Sequence, residues 1–68
     1  MNIPYSTRRY RVVSILNQPN SAQRVHAVDI VHQTPRVFFS VPPQDFRPLI
    51  GKEVTITSQA YIVKEVHL

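Results

Sequence analysis

Residues 8–16 read RRYRVVSIL, and this stretch indicates the fold class because it alternates with the two-residue period of a β-strand. The alternation predicts one face with Tyr10, Val12, Ser14 and Leu16, and an opposite face with Arg9, Arg11, Val13 and Ile15. Residues 17–21, NQPNS, are typical of a turn. Residues 24–32, RVHAVDIVH, are rich in β-branched residues and predict a second strand. Together these stretches predict an antiparallel hairpin.

Three more strands are predicted further along the chain, over residues 36–41, 52–57 and 60–68. Pro42 and Pro43 end the third strand, because proline cannot donate a hydrogen bond to a strand ladder. Residues 44–50 are expected to form one short helical or 3₁₀ turn that Gly51 caps. The last strand is partly apolar on both faces, which is typical of a barrel strand or of a strand against a neighbouring subunit.

Five short strands and one short helical turn predict a mainly β fold, a small five-stranded antiparallel barrel of the SH3-like or OB-like type. The short connection between the third and fourth strands slightly favours the SH3-like type. The 68 residues fit one domain, residues 1–68, in which residues 1–7 are expected to be an extended N-terminal arm. So small a domain has a thin core, and this one has no cysteine to form a disulfide. Association with a partner or with copies of itself is therefore expected.

The charge balance indicates what kind of partner to expect. Eight basic and four acidic residues give a net charge of +4, which favours nucleic acid, either DNA or RNA, or an acidic protein. The N-terminus lacks the apolar run of a signal peptide, and no stretch approaches the roughly 20 apolar residues that span a membrane. With the lack of cysteine, these features predict a soluble cytoplasmic protein that does not contact a membrane.

The sequence contains no recognisable catalytic or metal-binding pattern. Its acidic residues occur singly and predict no pair for acid–base catalysis: Asp29, Asp45, Glu53 and Glu65. His26 and His32 share a strand face but lie roughly 20 Å apart at about 3.3 Å per residue, too far to bind one metal ion. No catalytic residue, cofactor or metal site is therefore predicted. Asp29 is expected to face outward or to pair with an arginine on the adjacent strand.

The arginines give the strongest functional signal, because arginine binds phosphate bidentately and stacks on bases. Barrel folds hold single-stranded nucleic acid by combining such cations with aromatic side chains on their strands. The predicted nucleic-acid-binding residues are Arg8, Arg9, Arg11, Arg24, Arg36 and Phe38. Tyr10 and Phe39 are expected to point the opposite way, into the core. The alternative is that the arginines form only a solvated face and that Phe38 is buried.

The C-terminal half, residues 37–68, carries a pattern of spaced residues. It reads Phe46-x-x-Leu49-x-Gly51-Lys52-x-Val54-x-Ile56, followed by Tyr61-x-Val63-x-x-Val66. This pattern resembles the closing hairpin of small head–tail joining proteins of tailed phages, with Gly51-Lys52 in place of the usual Gly-Asp. The resemblance implies a structural protein that assembles in a ring and contacts other capsid or tail components.

The sequence thus leaves two functional hypotheses. The first is a small basic non-enzymatic module that binds nucleic acid through an arginine and aromatic strand face. The second is a structural or protein-interaction module, such as an assembly protein, adaptor or inhibitor, that forms homo-oligomers or docks on an acidic protein.

Overall fold

The computed structural model describes residues 3–68, which form five β-strands and two short 3₁₀ turns. The strands are β1 (Tyr5–Asn17), β2 (Gln23–Asp29), β3 (Thr34–Ser40), β4 (Glu53–Gln59) and β5 (Ile62–His67). The 3₁₀ turns are Pro19–Ser21 and Arg47–Leu49. The predicted mainly β class is confirmed, although there are two 3₁₀ turns rather than one. No helix within residues 3–68 has both the length and the apolar character that crossing a membrane requires.

The five strands form one sheet that closes into a ring in the order β1-β2-β3-β5-β4. Strand β1 pairs antiparallel with both β2 and β4, β2 pairs antiparallel with β3, and β4 with β5. The remaining contact, between β3 and β5, is parallel and consists of the single pair Phe39 and Ile62. The prediction of a wholly antiparallel sheet is therefore wrong. Local alternation predicts strands, but it does not show which distant strands meet.

Strand β1 belongs to both halves of the ring. From Tyr5 to Arg11 it pairs with β4, and from Tyr10 to Asn17 it pairs with β2. The prediction of an extended arm over residues 1–7 is therefore wrong from Tyr5 onward, where the chain is already part of the sheet. Residues 1 and 2 of that arm lie outside the described residues.

A β-bulge in β1 changes which side chains face the interior. The register shifts between Val12 and Ser14, so that the chain gains one residue relative to β2. Tyr10 and Val12 face inward before the bulge, whereas Ile15 packs against the core after it. The prediction that residues 10, 12, 14 and 16 share one face is therefore wrong beyond Val12, and Leu16 is exposed.

The core fills the inside of the ring, with these buried apolar residues: Tyr10, Val12, Val25, Ala27, Phe38, Phe46, Val54, Ile56 and Val63. Phe46 comes from the loop between β3 and β4. Gln23 holds this loop, because its Nε2 donates to Asp45 Oδ1 at 2.8 Å and its Oε1 accepts the Phe46 N–H at 2.8 Å. After the following 3₁₀ turn, Gly51 adopts a φ of 83°, a left-handed conformation that glycine adopts without steric cost.

Candidate nucleic-acid interface

The six residues predicted to bind nucleic acid lie in different places. Arg9 and Arg11 project from the β1–β4 side of the closed sheet, and Arg24 projects from β2. Arg8 and Arg36 line the opening where β3 and β5 diverge. Phe38 lies inside the closed sheet. The structure therefore brings Arg8 and Arg36 together, but it does not place all six on one face.

Phe38 is a core residue, with only 3% of its surface exposed. Its ring packs edge-on against Tyr10, with the ring centroids 5.0 Å apart. The prediction that Phe38 lies on the binding surface is therefore wrong, and the alternative that it is buried is confirmed. Phe39, which was expected in the core, is half-buried and faces outward. Strand β3 has apolar residues on both sides, so its alternation does not indicate which side faces the core.

Arg9 and Arg11 are both engaged by β4. Arg9 donates from Nη1 to Thr55 Oγ1 at 3.1 Å and from Nη2 to the Glu53 carbonyl oxygen at 3.4 Å. Arg11 forms an ion pair with the Glu53 carboxylate. Because this carboxylate offsets the charge of Arg11, the β1–β4 side offers less free positive charge than the sequence suggests.

The outward residues of β2 and β3 form a surface that we call the β2–β3 outer face. Its members are Arg24, His26, Val28, Pro35, Val37 and Phe39. Strand register places Arg24 opposite Phe39 and His26 opposite Val37. None of the six residues is acidic, so the only formal charge on this face is positive.

Arg24 and Phe39 form the most distinctive contact on the β2–β3 outer face. The Arg24 guanidinium carbon lies 5.6 Å from the centroid of the Phe39 ring, within the range of a cation–π interaction. The Nε atom is buried and has no hydrogen-bond partner, and Arg24 forms no ion pair within residues 3–68. The guanidinium is thus held in place by an aromatic ring rather than by an acidic group.

Phe39 also lines a shallow hollow of about 390 Å³ together with Tyr61. Arg36 and Val37 contribute to its wall, and Tyr61 is 64% exposed. Two aromatic rings and a cation around one hollow provide surfaces on which bases stack. Sequence reasoning missed Tyr61 and Phe39 as candidate binding residues. The sequence offered one signal for Tyr61. It is an aromatic residue beside the short gap between the predicted strands at residues 52–57 and 60–68, and a side chain so close to a turn has little of the core within its reach.

Comparison with protein-family models, with curated proteins and with solved structures gives no significant match to this chain.

The histidines do not converge on one point. His26 lies on the β2–β3 outer face, His32 contacts Asp29, and His67 contacts Glu65. Within residues 3–68 there is no group of three or more His, Cys, Asp or Glu side chains suitable for holding a metal ion. The chemistry of the candidate interface is therefore that of cations and aromatic rings.

Asp29 has a structural role at the turn between β2 and β3. Its Oδ1 accepts the N–H groups of Val31 at 2.9 Å and His32 at 3.0 Å, and its Oδ2 lies 3.7 Å from Arg8 Nη1. The His32 N–H is the largest cause that holds the pKa of this carboxyl below its usual value. Of the two placements expected for Asp29, the outward one is wrong, since its side chain is buried. The pairing with an arginine on the adjacent strand is confirmed.

Proposed function

We propose that this protein is a small non-enzymatic module that binds single-stranded nucleic acid across the β2–β3 outer face. The observation that carries the proposal is the Arg24 guanidinium over the Phe39 ring, without an ion-pair partner in residues 3–68. Phe39 and Tyr61 supply stacking surfaces for bases, and Arg24 supplies donors for a phosphate.

We also propose that the ring is an OB-like barrel rather than an SH3-like one, and its strand order supports this. In the OB architecture the first strand pairs with the second and fourth, the third and fifth strands close the barrel, and strands two and three bind oligonucleotides. Here β1 pairs with β2 and β4, and the closing contact joins β3 to β5. The β2–β3 outer face then corresponds to the surface with which OB folds bind their ligands.

The distribution of charge supports the same face. Three of the acidic residues form ion pairs with arginines: Asp29 with Arg8, Asp45 with Arg47 and Glu53 with Arg11. The lysines and arginines that form no ion pair within residues 3–68 are Arg9, Arg24, Arg36, Lys52 and Lys64. Two of these five, Arg24 and Arg36, lie beside Phe39, so part of the uncompensated charge adjoins the aromatic surface.

Fluorescence anisotropy with labelled single-stranded DNA and RNA of about 15 nucleotides tests the proposal. Arg24→Gln and Phe39→Leu are expected to weaken binding by roughly 5- to 100-fold, since a base stacked on an aromatic ring contributes about 1–3 kcal/mol. Lys52→Gln is the matched control, because it removes the same charge as Arg24→Gln but lies on the β4 side of the ring. Absence of binding to both nucleic acids at about 50 mM salt, where phosphate contacts are strong, would overturn the proposal.

A second candidate function is a protein-interaction module, and the seam between β3 and β5 favours it. The two strands meet at one residue pair, so each leaves part of an edge on which another chain can add a strand. Tyr61 and Ile62 are exposed beside this seam. Self-association would also agree with the ring assembly that the phage-protein resemblance implies. Sedimentation equilibrium tests whether the protein associates with itself through this seam. Oligomers that the substitution Ile62→Ser disrupts would support self-association, and a monomer at every concentration would exclude it.

A further inference from the structure

The seam between β3 and β5 opens into a cavity of about 280 Å³. It exists because the two strands touch only at Phe39 and Ile62 and leave the first part of β3 without a neighbour on that side. We call it the seam cavity.

Side chains that can donate hydrogen bonds line the seam cavity. Arg8 on β1 and Arg36 on β3 have guanidinium groups, and four other lining residues have hydroxyl groups: Ser6, Tyr10, Ser58 and Tyr61. Tyr10 is 4% exposed and Ser58 is 5% exposed, so the surrounding residues enclose both side chains almost completely. Burial is the largest cause that raises the pKa of Tyr10, so its hydroxyl keeps its proton at neutral pH and remains a donor.

The seam cavity is positively charged. Phe38, packed against Tyr10, forms part of its lining. Among residues 3–68, no acidic residue lines the cavity. Asp29 approaches Arg8 at 3.7 Å from behind, whereas Arg36 forms no ion pair within residues 3–68.

We propose that the seam cavity binds a phosphate monoester, either the terminal phosphate of a nucleic-acid strand or the phosphate of a free mononucleotide. A monoester carries close to two negative charges at neutral pH and accepts hydrogen bonds on three oxygens, which suits a cavity lined by two guanidinium groups and several hydroxyls. A phosphate within a strand is a poorer fit, because a phosphodiester carries only one negative charge and has only two non-bridging oxygens.

The seam cavity is continuous with the candidate interface. Arg36, Val37 and Tyr61 line both this cavity and the hollow beside Phe39. A strand that lies across the β2–β3 outer face therefore reaches the cavity with its end. Binding of the end of a nucleic-acid strand in the cavity rests on the proposed function, whereas the phosphate site itself does not.

The test compares ligands that differ only in the phosphate. Oligonucleotides of one sequence carry a 5′-phosphate, a 3′-phosphate or neither, and their binding is followed by anisotropy. Adenosine monophosphate and adenosine are titrated into ¹⁵N-labelled protein and followed by NMR amide shifts. The variants are Arg36→Gln and Tyr10→Phe, with Arg9→Gln as the control of equal charge change and circular dichroism as the check of folding.

We expect one phosphorylated end to bind about tenfold more tightly than the unphosphorylated strand, because hydrogen bonds to a charged group are stronger than those between neutral groups. Arg36→Gln should abolish this preference, Tyr10→Phe should reduce it, and Arg9→Gln should keep it. Adenosine monophosphate should shift the amides of residues 36 and 58, and adenosine should not. Equal binding of all three strands together with no response to the nucleotide would overturn the inference while leaving the outer-face proposal intact. A response to the nucleotide without binding of any strand would support the phosphate site and overturn the outer-face proposal.

Discussion

The carboxylate of Asp29 and the imidazole of His32 lie 3.2 Å apart across the turn between β2 and β3, although Asp29 is buried and His32 is exposed. The backbone tightens the same turn, since the Gln33 N–H donates to the Asp29 carbonyl oxygen at 2.7 Å. Asp29 therefore fixes the geometry of the hairpin through both its side chain and its main chain, and its charge state matters for stability.

We expect stability to fall as the solution is acidified. Hydrogen bonds lower the pKa of Asp29, chiefly the one from the His32 N–H, and the pKa of Asp45 lies well below its usual range, chiefly because of the Arg47 side chain. A carboxyl with a lowered folded-state pKa stabilises the fold above its unfolded-state pKa, and this contribution is lost as pH falls through the folded-state value. The midpoint of thermal unfolding, measured by circular dichroism, should therefore decrease below about pH 4.

The substitution Asp29→Asn tests how much the Asp29 carboxyl alone contributes to this pH-dependent stability. Asparagine keeps an oxygen that accepts the backbone N–H groups, but it lacks the charge that attracts Arg8. The variant should be less stable than the wild type at neutral pH and should lose less stability on acidification. If the stability of both proteins depended on pH in the same way, the Asp29 carboxyl would not contribute to the loss of stability in acid.

The neighbouring phenylalanines on β3 should respond differently to truncation. Phe38→Ala removes a ring from the core and is expected to lower the free energy of unfolding by about 3–5 kcal/mol. Phe39→Ala removes a half-buried ring and a cation–π contact, for which about 1–2 kcal/mol is expected. Urea denaturation measures both, with binding measured on the folded Phe39 variant. A larger loss for Phe39 than for Phe38 would contradict the assignment of the core side of β3.

Gln23→Leu tests how the loop that carries Phe46 is held. The substitution preserves side-chain size but leaves the buried Phe46 N–H without its acceptor, which costs about 1–3 kcal/mol. We expect faster hydrogen exchange at the Phe46 amide by NMR and little change at the amides of β4. Unchanged exchange at Phe46 would mean that Gln23 does not hold the loop. Asp45→Asn, which keeps an acceptor for the Gln23 amide, is the matched control.

Arg9 and Arg11 on β1 should contribute less to nucleic-acid binding than Arg24. Arg11 forms an ion pair with Glu53, and Arg9 donates a hydrogen bond to Thr55, so neither faces the Phe39 ring. Arg9→Gln and Arg11→Gln are expected to reduce affinity by about twofold, as for a remote change of one charge. Anisotropy at two salt concentrations measures this. An effect on binding equal to that of Arg24→Gln would move the interface to the β1–β4 side.

The strands themselves were predictable because each contains β-branched or aromatic residues, in several cases alternating with polar ones, between segments of turn residues. Residues 24–32 predicted β2, and the observed strand, Gln23–Asp29, differs mainly where Asp29 starts the turn. The inward face of β1 was predictable only as far as Val12, since nothing in the residue pattern marks the bulge that follows. Residue alternation therefore indicates which side chains face inward over a few residues, but it fails beyond an irregularity such as a β-bulge.

The candidate interface was predictable in composition but not in placement. The expectation that arginine and an aromatic residue combine on a strand face holds for Arg24, yet its aromatic partner is Phe39 rather than Phe38. The seam cavity depends on how β1, β3 and the β4–β5 turn are arranged in space. Arg8 and Arg36 are 28 residues apart in sequence, and local alternation carries no information about such distant contacts.

The double pairing of β1 also bears on how the chain folds. Tyr5 pairs with Gln59, so the first strand cannot complete its hydrogen bonds until nearly the whole chain has been ordered. Contacts between residues this distant in sequence slow folding, because the intervening chain must lose its entropy before they form. The hairpin of β2 and β3 needs no such closure and provides a local starting point. Folding of this small protein should accordingly be slow for its length, with β1 joining β4 late.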